Sequence, residues 1–459
     1  MRPLKLSWLA LALLLAGCHS PQVEQAKPTL RIPTEWRAQI GPTSDAEGFW
    51  WRNFHDSQLN GYVDEALRYN TDVLTARERV NEYQARVQAA TGAQLPTLDA
   101  GLNASRSRAQ SAATGLPVHS ELYKGSLTAN YNVDLWGQYS SATKAAQASL
   151  EAQKAAAAAA NLTVASSVAA GYITLLALDD RLQVTRDTLA ARENAYRLAK
   201  RQFETGYSSR LELMQADSEY RATRAQIPEM KHQISQQENA LSVLIGRNPG
   251  EVKRGGEFAQ LTPLKLPSQL PSTLLNRRPD IVQAERQLLA TDETLASSRA
   301  QLLPAINLVA SGSLQDSTLS QLVDNPLRLW SIGGSILAPL LNREALNAQV
   351  DVAMSQRNQA LYAYESTVRN AFKEVNDSID AIERLREQLV ELEAQEEVAK
   401  ETLRIAQNRY RNGYSSYLDE LDAQRTLFST QLSVVQVKNN LLLAQVDLYR
   451  ALGGGWQGI

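Results

Sequence analysis

From Tyr123 to Leu135 every odd position is apolar or glycine. Tyr123, Gly125, Leu127, Ala129, Tyr131, Val133 and Leu135 alternate with Lys124, Ser126, Thr128, Asn130, Asn132 and Asp134. Successive side chains of an extended chain point to opposite sides, so a strict period of two predicts a strand with one apolar and one polar face. We place it at about 121–135. A companion at about 98–108 keeps Leu98, Ala100, Leu102 and Ala104 on one side, and two more are predicted at about 305–314 and 329–338.

Elsewhere the period lengthens. Residues 343–412 contain neither Gly nor Pro, and a helix of that length rises about 105 Å. Ile382, Leu385, Leu389, Leu392, Ala399, Leu403, Ala406 and Tyr410 recur at alternating steps of three and four, with Glu396 the one polar interruption. Such a heptad seam packs as a coiled coil. Gly413 breaks the pattern, which resumes over about 416–452, so the pair predicts an antiparallel helical hairpin. A second hairpin is predicted upstream. Residues 138–205 hold one Gly, Gly171, and the run Ala155–Ala160, made of the strongest helix former. Gly206 ends that helix, and a return helix over about 209–246 carries Pro228, where a kink is expected. No internal run approaches the roughly 18 to 20 apolar residues of a membrane-spanning helix.

The hairpins are copies. Gly206-Tyr207-Ser208-Ser209 recurs as Gly413-Tyr414-Ser415-Ser416, 207 residues later. Ala199, Phe203 and Leu211 match Ala406, Tyr410 and Leu418, and Leu95-Pro96 matches Leu303-Pro304. Units of about 200 residues are long enough to be halves of one fold. We assign a first repeat to 49–250, a linker to 251–278 and a second repeat to 279–459. The fold class is mainly α with a small β part. Four strands of this length suit a membrane barrel but cannot close one, and lipid tolerates no open edge. Two chains would supply eight strands and three would supply twelve. Eight-stranded barrels are filled by their own side chains, so a conducting pore points to three chains.

Composition narrows the partners. The chain has 459 residues, 44% hydrophobic, with a net charge of −2, so it lacks the basic excess of a nucleic-acid binder. His19, His55, His119 and His232 lack metal-ligand spacing, and Cys18 is the sole cysteine. No GxSxG, P-loop or GxGxxG context is present, so neither catalytic residues nor a metal site is expected. The N-terminus joins Arg2 and Lys5 to an apolar stretch, Leu6 to Gly17, that reads as a signal peptide over 1–17. Its ending, Leu15-Ala16-Gly17-Cys18, resembles a bacterial lipobox. That resemblance implies cleavage before Cys18 and a covalent lipid on its thiol as the only prosthetic group; the stretch that follows, rich in Pro, Gln, Thr and Glu, reads as a lipid-anchored extended leader over 18–48. His19 rather than Asp in second place implies sorting to the outer membrane.

Three motifs then point to a family. Arg277-Arg278-Pro279-Asp280-Ile281 with Ala284-Glu285, Leu421-Asp422-Ala423-Gln424-Arg425, and Ala451-Leu452-Gly453-Gly454-Gly455-Trp456 are similar to signatures of TolC/NodT-type outer-membrane efflux factors. The resemblance extends over the chain from Trp50 onward. It implies a homotrimer with a 12-stranded barrel in the outer membrane of a Gram-negative bacterium. A tunnel of twelve helices would reach into the periplasm and close at its lower end. A periplasmic adaptor would dock there and link it to an inner-membrane pump of the resistance-nodulation-division class.

Under this resemblance the Gly-Tyr-Ser-Ser turns are the tunnel tips that meet the adaptor, with Tyr207 and Tyr414 as exposed anchors. Leu418, Asp422 and Arg425, on one helical face, match family positions that ring the closed constriction. The first copy carries Leu211, Gln215 and Ser218 instead. The implied function is a passive exit duct for small molecules such as antibiotics, in contact with outer-membrane lipid. Alternatives are a structural coiled-coil lipoprotein that spans the periplasm, or the same fold serving metal-ion efflux or type I secretion.

Overall fold

The computed structural model describes residues 28–37, 48–264, 271–454 and 456. The signal peptide, Cys18, His19, much of the leader and Gly455 lie outside them. The main elements are α1 (Ser57–Tyr69), α2 (Thr71–Gly92), β1 (Thr97–Gln110), β2 (Pro117–Val133), α3 (Gln138–Glu204) and α4 (Arg210–Ile245). They continue with α5 (Pro279–Ala300), β3 (Ala305–Asp316), β4 (Leu327–Leu337), α6 (Arg343–Arg411) and α7 (Tyr417–Ala451). Two compact units result, and each draws on both sequence repeats.

The first unit comprises residues 79–153 and 283–365 together with the chain start. It holds one antiparallel sheet in the order β1-β2-β3-β4. Register puts the alternation of all four strands in phase. Leu98, Ala100 and Leu102 face Ala129, Leu127 and Gly125, which face Ala310, Gly312 and Leu314. These in turn pair with Ile332, Trp330 and Arg328. The resulting apolar face is uncovered: Leu98, Leu102, Trp330, Ile332 and Ile336 are all exposed. β2 stops at Val133, two residues before the end of the alternation. The cause is Asp134, whose carboxylate accepts from Tyr139 N (3.0 Å) and Ser140 N (2.7 Å) at the start of α3. That turn leaves Leu135 outside the strand although the period continues through it. Beside the sheet, Asp292 on α5 takes a 2.6 Å ion pair from Arg357 on α6.

The second unit comprises residues 30–78, 154–282 and 366–459. Its core packs Trp50, Phe54 and Leu59 with Tyr172, Ile173, Leu241, Ile245, Leu442 and Tyr449. Asp56 caps α1 through Gln58 N and Leu59 N and also accepts from Tyr172 Oη at 2.9 Å. Tyr172 Oη accepts in turn from Gly255 N at 2.8 Å, fastening the segment after α4 to the core. Along α6 the heptad positions Ile382, Leu385, Leu389, Leu392, Ala399, Leu403, Ala406 and Tyr410 are buried or half-buried between exposed neighbours. Glu396, the interruption, accepts from Gln431 Nε2 on α7 at 3.2 Å and from Lys400 at 3.0 Å, so the seam stays satisfied.

Three local details add to this picture. α4 continues as one helix through Pro228. α3 contains an 18-residue window of mean hydropathy 1.5, which by length and composition could cross a membrane, although no apolar run of that length was read there. Its alanines raise the average, and 56% of the window is buried inside the protein. Asp280, in the first turn of α5, pairs with Arg278 at 2.7 Å. Arg278 is buried and bonds Glu374 (2.8 Å) and Ala451 O (2.9 Å) as well. The Arg-Pro-Asp motif is thus a clasp joining α5, α6 and the end of α7.

Candidate functional site

The two turns end their long helices by the same mechanism. Gly206 (φ 79°) and Gly413 (φ 74°) take the left-handed conformation, which lacks the Cβ penalty only for glycine. Tyr207 N donates to Gln202 O and Gly206 N to Phe203 O, while Tyr414 N donates to Arg409 O and Gly413 N to Tyr410 O. This double bond pattern satisfies carbonyls that the helix end leaves without partners. Tyr207 and Tyr414 are then thrown outward, 88% and 78% exposed. The serines differ: Ser209 Oγ caps α4 through Glu212 N at 3.2 Å, whereas Ser416 makes no side-chain cap. Ser208 Oγ reaches Ala199 O at 3.5 Å, and Ser415 Oγ is buried without a partner.

Above the turns, Ala199, Ala216, Tyr417 and Leu421 form a small core that Tyr196 and Tyr410 border. Tyr410 Oη donates to Gln202 Oε1 at 3.0 Å, tying α6 to α3. Burial pushes the Tyr410 and Tyr417 hydroxyls up to about 12, so both stay protonated donors at neutral pH.

Leu418, Asp422 and Arg425 are exposed along one face of α7. Arg425 lies 3.7 Å from Asp422 and closer to a second acid. Its Nη2 lies 2.5 Å and its Nε 3.0 Å from Glu219 Oε1 on α4. Glu219 Oε2 is 2.9 Å from Arg192 Nη1 on α3, and these side chains are only 13% and 5% exposed. Arg192 also bonds Thr223 Oγ1 and sits over the Phe428 ring. Four charges therefore form a line, Arg192–Glu219–Arg425–Asp422, that binds the first hairpin to the second. Burial lowers the Arg192 pKa although Glu219 opposes the shift, and the hydrogen bond that Arg425 donates to Glu219 raises that of Arg425.

Sequence reasoning brought together Leu418, Asp422 and Arg425 but missed Glu219 and Arg192. Position matching compared Arg425 with Ser218, one residue short of the acid that pairs with it. The signal available was asymmetry. Position 192 is Arg where its counterpart is Ala399, and both sites are buried.

A model of the outer membrane efflux protein family matches twice, over 62–247 and 270–454. The pyoverdine export outer membrane protein OpmQ of Pseudomonas aeruginosa is 32% identical over 98% of this chain and 97% of its own length. The probable outer membrane lipoprotein SilC of Salmonella typhimurium is 30% identical, covering 99% and 100%. A solved structure of the channel CusC superposes with a TM-score of 0.86 at 28% identity, covering 95% and 100%.

Proposed function

Since this chain belongs to the outer membrane efflux protein family, we propose that it is a trimeric outer-membrane channel, the exit duct of a tripartite pump. The observation that carries the reading is the sheet. Its apolar face is uncovered, and β1 and β4 each have an edge without a partner among the described residues. An apolar face suits lipid, and edges inside lipid must be closed by further strands. Three chains close twelve strands and leave an open lumen. A structural spacer would have no use for such a sheet.

The tunnel tip is then a gate. Three copies of Leu418 and Asp422 around one axis narrow the passage, and the carboxylates favour cations. Arg425 holds this face of α7 against Glu219, so opening requires that ion pair to break. Adaptor contact at Gly206 to Ser209 and at Gly413 to Ser416 supplies the free energy, with Tyr207 and Tyr414 as anchors and an inner-membrane pump of the resistance-nodulation-division class behind the adaptor. The duct performs no chemistry. OpmQ is named for pyoverdine and CusC for cations, and a duct of this kind leaves the choice of cargo to its pump. A lipid on Cys18 anchors the N-terminus; palmitate label lost in Cys18→Ala checks this.

The test is conductance. Purified trimer in planar bilayers is expected to show a small, cation-selective conductance. Asp422→Ala and Arg425→Ala are both expected to raise it, and Asp422→Ala is expected to reduce the selectivity. Unchanged conductance in both variants would sink the gate, and no pore from the wild type would sink the channel.

A further inference from the structure

Between α3, α6 and α7, just above the turns, lies a cleft of about 270 Å³. Its walls include Tyr410, Tyr417 and Arg411, and Glu420 and Gln424 open into it. Both polar residues are buried, 8% and 7% exposed. Gln424 Nε2 donates to Glu420 Oε1 at 2.9 Å, while Gln424 Oε1 has no partner. The Gln407 amide is the other hydrogen-bond partner of Glu420, and the Arg411 charge acts on it from a distance. No ion pair closes on Glu420 among the described residues.

This arrangement is unusual for a helix packing surface. A buried carboxylate is normally paired, and a buried amide oxygen normally accepts a bond. Here a buried anion lines a space that also holds aromatic rings, which suits a cation, and the orphan acceptor lies enclosed beside it. The first repeat does not repeat the design: Leu213 stands where Glu420 does, and Asp217 where Gln424 does. The acid of the first repeat is thus one turn away and is paired, with Arg221 at 2.9 Å, whereas Glu420 has no such ion pair among the described residues. Burial raises the Glu420 carboxyl above its ordinary value, as expected for an anion still lacking its counterion.

We propose that this cleft receives a lysine or arginine side chain from the periplasmic adaptor, bound by the Glu420 carboxylate. Its place just above the turns puts it beside the surfaces assigned to adaptor contact, and its charge complements a basic side chain. Arg411 is exposed, so solvent screens its repulsion of the incoming cation. The assignment rests on the reading of the chain as an adaptor-docked channel. It adds a charge-specific pocket, present once per chain, to the exposed tyrosines.

The experiment uses full-length trimer from native membranes and the adaptor that co-purifies with it, re-purified as the probe. Affinity is measured at low salt for wild type, Glu420→Gln and Glu420→Leu. Gln is isosteric, and Leu already occupies the equivalent place in the first repeat, so both variants are expected to assemble. Both should weaken adaptor binding about tenfold or more, because one partner of a buried charge pair is lost. Both should melt at or above the wild-type temperature, because the unpaired charge is gone. Affinity within about twofold of wild type in both variants overturns the proposal. So does a fall in trimer melting temperature alongside affinity, which would make Glu420 a structural contact. A wild-type trimer that captures no adaptor brings down the docking reading itself, and the pocket with it.

Discussion

At the residue scale, burial decides which charges matter. Asp422 and Arg425 are exposed neighbours on one helix, a pair worth about 0.2–0.5 kcal/mol. Glu219 is half-buried between two arginines, and removing it strands the buried Arg192, a loss of about 3–5 kcal/mol. Glu219→Ala is therefore expected to lower the melting temperature strongly and Asp422→Ala hardly at all, measured by circular dichroism on purified trimer. Glu420 works in the opposite sense. Its raised pKa means that the folded protein holds this proton more tightly than the unfolded chain does. Its contribution to stability is full below the ordinary value of 4.5 and is lost as pH rises through the raised one. Glu420→Gln is expected to flatten that fall, so that the variant gains on wild type as pH rises toward neutrality. Parallel melting curves for the two proteins across pH would contradict this.

At the element scale, the same residue type does different work in different surroundings. An alanine at Gly413 meets nothing within 4 Å, so its cost is conformational alone, about 1–2 kcal/mol. An alanine at Gly453 also has positive φ, and its Cβ would lie 2.2 Å from Arg277 O. Backbone would have to move there, loosening the Arg278 clasp. Gly453→Ala is accordingly expected to cost clearly more melting temperature than Gly413→Ala; equal losses would mean that the clasp does not hold the end of α7. The long helices were legible because their seam is a local period. Glu396 looked like a fault in that period and proves to be a cross-helix contact, since Gln431 on α7 supplies its donor.

At the scale of the whole molecule, one chain is an unfinished object. Leu102, Trp330 and Ile332 would be a liability in water and are an asset in lipid. Ile332→Arg puts a charge on the lipid-directed face at a cost of about 2–4 kcal/mol near the membrane midplane. It is expected to reduce the trimer that migrates anomalously on unheated gels, and full recovery of that band would argue against the membrane role of this face.

Much of this protein is written in local periods and repeats. Alternation marked four strands, heptads marked the long helices, and paired glycines marked the turns, because each depends on neighbours a few residues apart. The alternation overran at Leu135, because Asp134 turns from strand to cap. The ion-pair line and the cleft were not legible. Arg192, Glu219 and Arg425 lie far apart in sequence, and only the packing of two hairpins brings them within hydrogen-bond distance. Nothing in the sequence singles out Glu420; its burial, with no ion pair among the described residues, is what sets it apart. Distance in sequence hides such pairs, and solvent exposure, which sets their energies, exists only once the chain has folded.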